Sequence, residues 1–233
     1  MTRTLHVCRP GAVQYGQAFE AQKALVQRAW TTRPENREDT LLLLEHPAVI
    51  TIGRRGSNDH ILAAQDVLAS EKVEVAECNR GGDVTYHGPG QVVGYPIFDL
   101  NVHGRDVHGH MRRLEEVVIR ALDAFGVSAG RRDGLTGVWV EDRKIASIGI
   151  AVSHWIAYHG FALNVAPRLE HFRLIVPCGL QGVRVTSIEA ETGRAPALST
   201  VEDELILRFV EVFGFREKTE SQALPEPECE LTP

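Results

Sequence analysis

Three runs of strand-forming residues follow one another in the second half of the chain: Gly137–Val140, Lys144–Val152 and Ile156–Val165. Asp142-Arg143 and Ser153-His154 fall in the gaps between them. Connections this short cannot hold the crossover that a parallel pair needs, so the three runs form an antiparallel meander. The middle run, Ile145-Ala-Ser-Ile-Gly-Ile-Ala-Val152, is apolar on both faces and is expected at the centre of a sheet. Apolar residues recur at three and four over Gln14–Trp30, Ala63–Ala69 and Asp106–Phe125, which predicts helices there. A further helix through Phe213 is opened by Ser199-x-x-Glu202, the spacing of a capping box. Further strands are expected at Leu5–Val7, at Thr40–Glu45 and Ala48–Ile52, which enter the sheet as two strands or as one strand bent at His46-Pro47, at Val73–Cys78 and at Val92–Tyr95, the last ended by Pro96. Strand clusters separated by helices, with tight turns in the second half, predict an α+β fold rather than a doubly wound parallel sheet.

The chain has 233 residues, 43% of them hydrophobic, enough for one sizeable core. One domain over residues 1–215 is expected, followed by a flexible tail over 216–233, where charges alternate with three prolines and no apolar face forms. No run approaches the ~20 apolar residues of a membrane span, and Met1-Thr-Arg-Thr-Leu-His lacks a signal core, so a cytoplasmic protein without a membrane partner is expected. A net charge of -6 argues against nucleic acid. The four cysteines, at 8, 78, 178 and 229, lack C-x-x-C spacing and read as free thiols. His103, His108 and His110 read as a solvated helix start, and no metal site is expected.

Chemistry concentrates in Arg80-Gly-Gly-Asp-Val-Thr-Tyr-His-Gly-Pro-Gly-Gln91, where four glycines and a proline bend the backbone or bring it close to a ligand. Arg80 offers a fixed fork of donors, and Tyr86 and His87 offer two polar rings. Cys178 stands between Pro177 and Gly179, a setting that suits either an inert core thiol or a sulfur presented to a cleft. Lys144 opens the central strand; its ammonium either reaches water or reaches Cys178. In the second case it would favour the thiolate, lowering a thiol pKa of ~8.5 toward ~3.5–7.5. His87 and His159 are rival bases or packed side chains, and Ser147 lacks the G-x-S-x-G context of a hydrolase nucleophile.

Four motifs in register, R-G-G-D-V-T-Y-H-G-P-G-Q at 80–91, K-I-A-S-I-G at 144–149, H-G-F-A-L-N-V at 159–165 and P-C-G at 177–179, resemble those of the lipoyl(octanoyl) transferases. H-P-A-V-I-T-I-G-R at 46–54 is similar too, and the resemblance runs from about residue 40 to 190. It implies a single α+β domain of the biotin/lipoate protein ligase type, related to class II aminoacyl-tRNA and biotin synthetases, with a mixed, largely antiparallel sheet and packed helices. It implies that octanoyl passes from acyl carrier protein to a lysine on a lipoyl domain of a 2-oxo acid dehydrogenase E2 subunit or on the glycine cleavage H protein, without a cofactor. By position, Cys178 would carry the acyl group as a thioester, and Lys144 would lower its pKa and later take a proton from the incoming amine. Arg80, Gly81, Gly82, Asp83, Val84, Thr85, Tyr86 and His87, with Ser147, Ile148 and Gly149 and with Gly160, Phe161 and Ala162, would line the acyl and thioester pocket. Both protein partners implied are typically acidic, so a basic rim from Arg54, Arg55 and Arg143 is expected to steer them. The rival readings are an ATP-dependent lipoate or biotin protein ligase and a non-catalytic acyl- or partner-binding module. Thioester chemistry needs no Walker-type phosphate loop, and the sequence has none.

Overall fold

A computed structural model describes residues 3–33, 36–176 and 182–225. In chain order the elements are β1 (Thr4–Ala12), α1 (Tyr15–Thr31), β2 (Asp39–Glu45), β3 (Val49–Ile52), α2 (Gln65–Ser70), β4 (Glu74–Glu77), β5 (Val84–His87), β6 (Gln91–Asp99) and α3 (Val107–Ala124). There follow β7 (Gly130–Arg132), β8 (Leu135–Val140), β9 (Arg143–Ser153), β10 (Ile156–Asn164), β11 (Arg184–Val185), α4 (Ile188–Thr192), α5 (Leu198–Phe213) and β12 (Glu217–Ser221). Among the described residues a nine-stranded sheet runs β12-β1-β2-β6-β10-β9-β8-β7, with β11 paired to the start of β9, and a separate three-stranded sheet runs β4-β3-β5. The fold is therefore a single α+β domain with a mixed sheet, and the expected β8–β9–β10 meander is antiparallel throughout.

Alternation along each strand assigns one sheet face to each helix layer. Phe98, Val138, Phe161 and Leu163 pack with α3 and α5, whereas Tyr95, Ala151, Tyr158 and Ala162 pack with α1. The small sheet has its own core, in which Ile50, Val84 and Tyr86 meet Phe172 and Ile175.

Four expectations change. The His46-Pro47 break separates β2 from β3 so completely that the two strands belong to different sheets. Pro96 does not end its strand: β6 continues to Asp99, with Pro96 paired to Leu41 of β2. On the other side the β10 ladder skips from Ala157↔Phe98 to Phe161↔Gly94, so the missing proline N–H falls in a stretch where β10 makes no ladder pairs with β6. The Ser199/Glu202 capping box does not form; Ala197 precedes the helix without a side-chain cap. Glu202 and the Ser199 carbonyl instead accept from the Arg9 guanidinium at 2.9 and 3.0 Å, tying α5 to β1. Finally, the tail is not structureless from Arg216: Glu217–Ser221 pairs in parallel with β1, because main-chain bonds to an open sheet edge need no apolar face.

Candidate active site

The site lies on the α1 face of the large sheet, where the loop leading into β5 lies against β9, its Gly81 N–H bonding the Ile150 carbonyl at 2.8 Å. One cavity there is lined by Arg80, Gly81, Gly82, Asp83, Thr85 and His87 from the glycine-rich stretch, and by Ser147–Gly149 and Gly160–Ala162 from paired strands. These residues, separate in the sequence, are brought together around the cavity, although the Ile148 and Phe161 side chains pack toward the α3/α5 core. Val84 and Tyr86, also expected to line the pocket, point the other way along β5 into the small-sheet core, where the Tyr86 hydroxyl meets His171 Nδ1 at 2.7 Å. Tyr15, Tyr95 and His159 complete the lining. Tyr15 and Tyr95 were not singled out in the sequence, since an aromatic at helical or strand spacing looks like core.

The register explains how Lys144 comes to this face. Val138 pairs with Ala146 but Trp139 pairs with Lys144, so β9 holds one extra residue, a β-bulge at Ile145. Ile145 and Ala146 consequently both enter the α3/α5 core, and Lys144 is turned to the opposite face. There its stem crosses Gly137 and its Nζ lies 5.5 Å from the Trp139 ring centre. A Cβ on Gly137 would stand 2.6 Å from Lys144 Cε, and its φ of +123° suits glycine alone. Lys144 is only 5% exposed, so its ammonium is not the solvated strand end that was the alternative. It lies on the cavity's side of the sheet, outside the cavity lining. Cys178 and Cys229 lie outside the described residues; Cys8 and Cys78 are free thiols.

A chain of buried amides joins the cavity to the neighbourhood of Lys144. His87 Nδ1 meets Gln91 Oε1 at 3.3 Å, Gln91 Nε2 donates to Asn164 Oδ1 at 3.0 Å, and Asn164 Nδ2 donates to the Thr186 carbonyl at 2.9 Å. The Thr186 N–H in turn bonds the Lys144 carbonyl at 2.9 Å. Gln91 and Asn164 were visible as parts of motifs, but their partnership across 73 positions was not.

The electrostatics are unusual for so small a volume. Arg80 is 9% exposed, and its guanidinium donates to neutral oxygens, Thr51 O and Oγ1, both at 2.8 Å. Around it stand His46, His87 and His159, all held neutral: burial pushes His46 down to about 4 and His159 to about 3, and His87 well below its ordinary value. His159 sits at a left-handed φ of +56°, a strained conformation for a residue within a strand. Its N–H leaves the sheet and bonds Gln22 Oε1 of α1 at 2.8 Å, while Nε2 meets Asn79 Oδ1 at 2.7 Å. The kink fits the Pro96 gap: a Cβ on Gly160 would lie 2.2 Å from the Gly94 carbonyl oxygen and 2.6 Å from Pro96 Cδ. Both histidines are thus packed and bonded side chains on the cavity wall.

Two other expectations are corrected. His103 and His110 are not a solvated helix start; they are buried among Phe98 and Phe213, with His103 Nε2 2.8 Å from Asp39 Oδ2, and only His108 is exposed. Among the described residues no cluster could hold a metal ion. Arg143 is a poor member of a basic rim, because Glu141 and Glu191 both pair with it.

A buried lysine beside a cavity of close-packed glycines, roofed by a glycine-rich turn, matches a known architecture. The lipoyl protein ligase A/B catalytic domain is recognised over residues 14–210, and the chain belongs to that family. It is 51% identical to the octanoyltransferase of Caldicellulosiruptor bescii over 213 residues, 90% of this chain and 92% of the other. It is 47% identical to the octanoyltransferase of Chloroflexus aurantiacus, covering 95% of this chain and all of that one. In fold it resembles a lipoate-protein ligase A crystallised with ATP, with a TM-score of 0.73, 17% identity, and coverage of 94% of this chain and 90% of that one. It also resembles the bipartite lipoate protein ligase of Thermoplasma acidophilum, with a TM-score of 0.68, 18% identity, and coverage of 94% and 88%. Among the described residues no helix is long and apolar enough to cross a membrane.

Proposed function

We propose that this enzyme moves an octanoyl group from octanoyl-acyl carrier protein to the lysine of a lipoyl domain, on an E2 subunit or an H protein, the first step of protein lipoylation. The observation that carries the reading is the convergence of the Arg80–His87 stretch, Ser147–Gly149 and Gly160–Ala162 on one cavity, on the face to which the β9 bulge turns Lys144.

In the first half-reaction the Cys178 thiolate attacks the thioester carbonyl, a new C–S bond forms, and the carrier's sulfur leaves with the electron pair of the broken C–S bond and takes the proton of the Lys144 ammonium, which is left as a neutral amine able to accept the proton of the second half-reaction. In the second, the acceptor lysine's neutral amine attacks the acyl carbon. The amide forms, Cys178 sulfur leaves as thiolate, and the amine's surplus proton passes to Lys144. The Lys144 ammonium favours the anionic sulfur by charge. A thioester is already activated, so the balance needs no nucleotide. His87 and His159, neutral and engaged by Gln91 and Asn79, shape and dry the cavity.

Intact-mass measurement after exposure to octanoyl-acyl carrier protein tests this. Wild type should gain one octanoyl group, lost on adding a lipoyl domain; Cys178→Ser should gain none, and Lys144→Ala should acylate slowly. A Cys178→Ser protein fully active with ATP and free octanoate would establish a ligase instead. A wild type that takes up no acyl group would establish a binding module.

A further inference from the structure

The cavity differs in character along its length. Toward Lys144, Ser147 and Ala162 face each other across β9 and β10. Further along, Gly149 pairs with Gly160, Gly81 N–H bonds the Ile150 carbonyl at 2.8 Å, and Arg80 Cδ comes within 3.4 Å of where a Gly149 Cβ would stand. Four residues lie between Lys144 and Gly149, one of them the bulge, so the two are four strand rises apart, roughly 13 Å at ~3.3 Å per residue. The four-carbon stem of the lysine spans part of that, and a medium-length acyl chain spans the remainder. The far end of such a chain therefore arrives among Arg80, Tyr95 and Tyr15.

That end is polar. The Tyr15 side chain is 3% exposed, and its hydroxyl finds no oxygen or nitrogen acceptor among the described residues, only the weak Cys78 sulfur; Arg80 Nε finds no acceptor there either. Both groups are held in place. The Tyr15 ring stacks on His87 with centres 6.4 Å apart and sets its edge to His46 at 5.4 Å, and His46 Nε2 bonds the Tyr95 hydroxyl at 2.8 Å. Burial raises the Tyr15 phenol far above its ordinary range, so it remains a donor at every pH at which the protein is folded.

We propose that Tyr15, backed by Tyr95 and Arg80, is the residue that sets acyl chain length, closing the distal end of the cavity with donors that an alkyl chain cannot satisfy. This rests on the reading that the cavity holds the acyl group of a thioester. A chain that stops short ends before the Tyr15 ring and leaves its contacts undisturbed. A longer one must force its last methylenes against the held Tyr15 ring and beside buried donors that no methylene can satisfy, which turns the usual gain from a longer apolar chain into a penalty. A chain ending in a hydroxyl would instead offer the phenol an oxygen acceptor stronger than the Cys78 sulfur.

The test is kcat/KM for octanoyl, decanoyl and 8-hydroxyoctanoyl thioesters of acyl carrier protein, in wild type, Tyr15→Phe and Tyr15→Ala, with melting temperatures alongside. Tyr15→Ala should raise the decanoyl-to-octanoyl ratio by about tenfold or more, the low end of single-methylene discrimination in enzyme pockets. Tyr15→Phe keeps the volume and loses the donor; it should raise that ratio less and abolish the preference for the hydroxylated chain that wild type shows. If Tyr15→Ala does not fold, the near-isosteric Tyr15→Phe decides alone. A wild type that transfers octanoyl, paired with variants whose chain preferences equal its own, overturns the assignment of Tyr15. A wild type that transfers no acyl chain of any kind overturns the functional reading beneath it.

Discussion

The two faces of the large sheet are made from the same strands and built to opposite ends. Toward α3 and α5 the side chains are large and apolar: Phe98 is fully buried, with the rings of Phe209, Phe213 and Phe215 centred 5.0 to 6.0 Å away. Toward α1 and the small sheet the same strands present Gly149, Gly160 and Ala162, beneath a buried guanidinium and three neutral histidines. In β10 a single step along the chain, Phe161 to Gly160 or Leu163 to Ala162, separates the two regimes. The pleat lets a strand anchor the fold with one set of residues and leave room for a ligand with the other. The bulge at Ile145 breaks that alternation and carries Lys144 across.

The comparison is broken most severely at Lys144. Lys144→Met keeps the stem over Gly137 and Trp139 but removes the ammonium, and transfer to the lipoyl domain should slow by about 10²- to 10⁴-fold, the usual worth of a positioned acid or base. Single-turnover rates measure it, and a loss below tenfold would place the acid/base elsewhere. The converse change is Phe98→Ala on the other face, which should cost about 3–5 kcal/mol of stability in denaturant melts while kcat/KM of the folded fraction stays near wild type. Gly160→Ala should do both, since its Cβ meets the Gly94 oxygen at 2.2 Å: about 1–3 kcal/mol of overpacking together with lost acyl transfer.

Protonation compares the faces through their histidines. His110, between Phe98 and Phe213 with no hydrogen-bond partner among the described residues, is lowered by burial to about 3, much as His159 is on the other side. An unfolded chain protonates its histidines below about pH 6.5, whereas the folded chain leaves these neutral down to about pH 3. Between those limits the unfolded state binds more protons, so stability is complete above pH 6.5 and falls as the pH is lowered, by roughly 1.4 kcal/mol per pH unit for each such group. His110→Phe should remove one group's share, measurable as a shallower fall in unfolding free energy from pH 7 to pH 5. An unchanged slope would mean that His110 titrates normally.

What the sequence made legible follows from the range of each signal. The β8–β9–β10 meander, α1, α3 and α5 rest on local periodicity, and the pocket segments on recognisable motifs. The bulge, the Pro96 gap and the β1–β12 pairing depend on a partner strand, and no window of sequence contains the partner. Val84 and Tyr86 were placed with the pocket because a motif is contiguous, whereas a strand sends alternate side chains to opposite sides. Ser199 and Glu202 fitted a local cap until Arg9, 193 positions from Glu202, claimed the carboxylate. Tyr15 was invisible as a site residue because only β5, whose His87 stacks on the Tyr15 ring, turns its surroundings into a cavity wall.

The smallest expected effect concerns the rim of the same face. Arg54 and Arg55 are exposed on the loop after β3, and their N–H groups bond the carbonyls of Arg80 and Gly82, both at 3.0 Å, which fixes the loop beside the cavity. Arg143, by contrast, has its charge offset by Glu141 and Glu191. If the rim steers an acidic carrier protein, Arg54→Gln and Arg55→Gln should each raise KM for the carrier-bound thioester by no more than about fivefold, since an exposed charge pair is worth ~0.2–1 kcal/mol. The effect should appear at low salt, fade as the Debye length shortens, and be absent with a small uncharged thioester, because steering acts on encounter rather than on the acyl chain. Arg143→Gln should do less than either. Were Arg143 to dominate, the attraction would run along the β9 edge instead of the cavity mouth, and the acidic partner would approach from the side of Glu191.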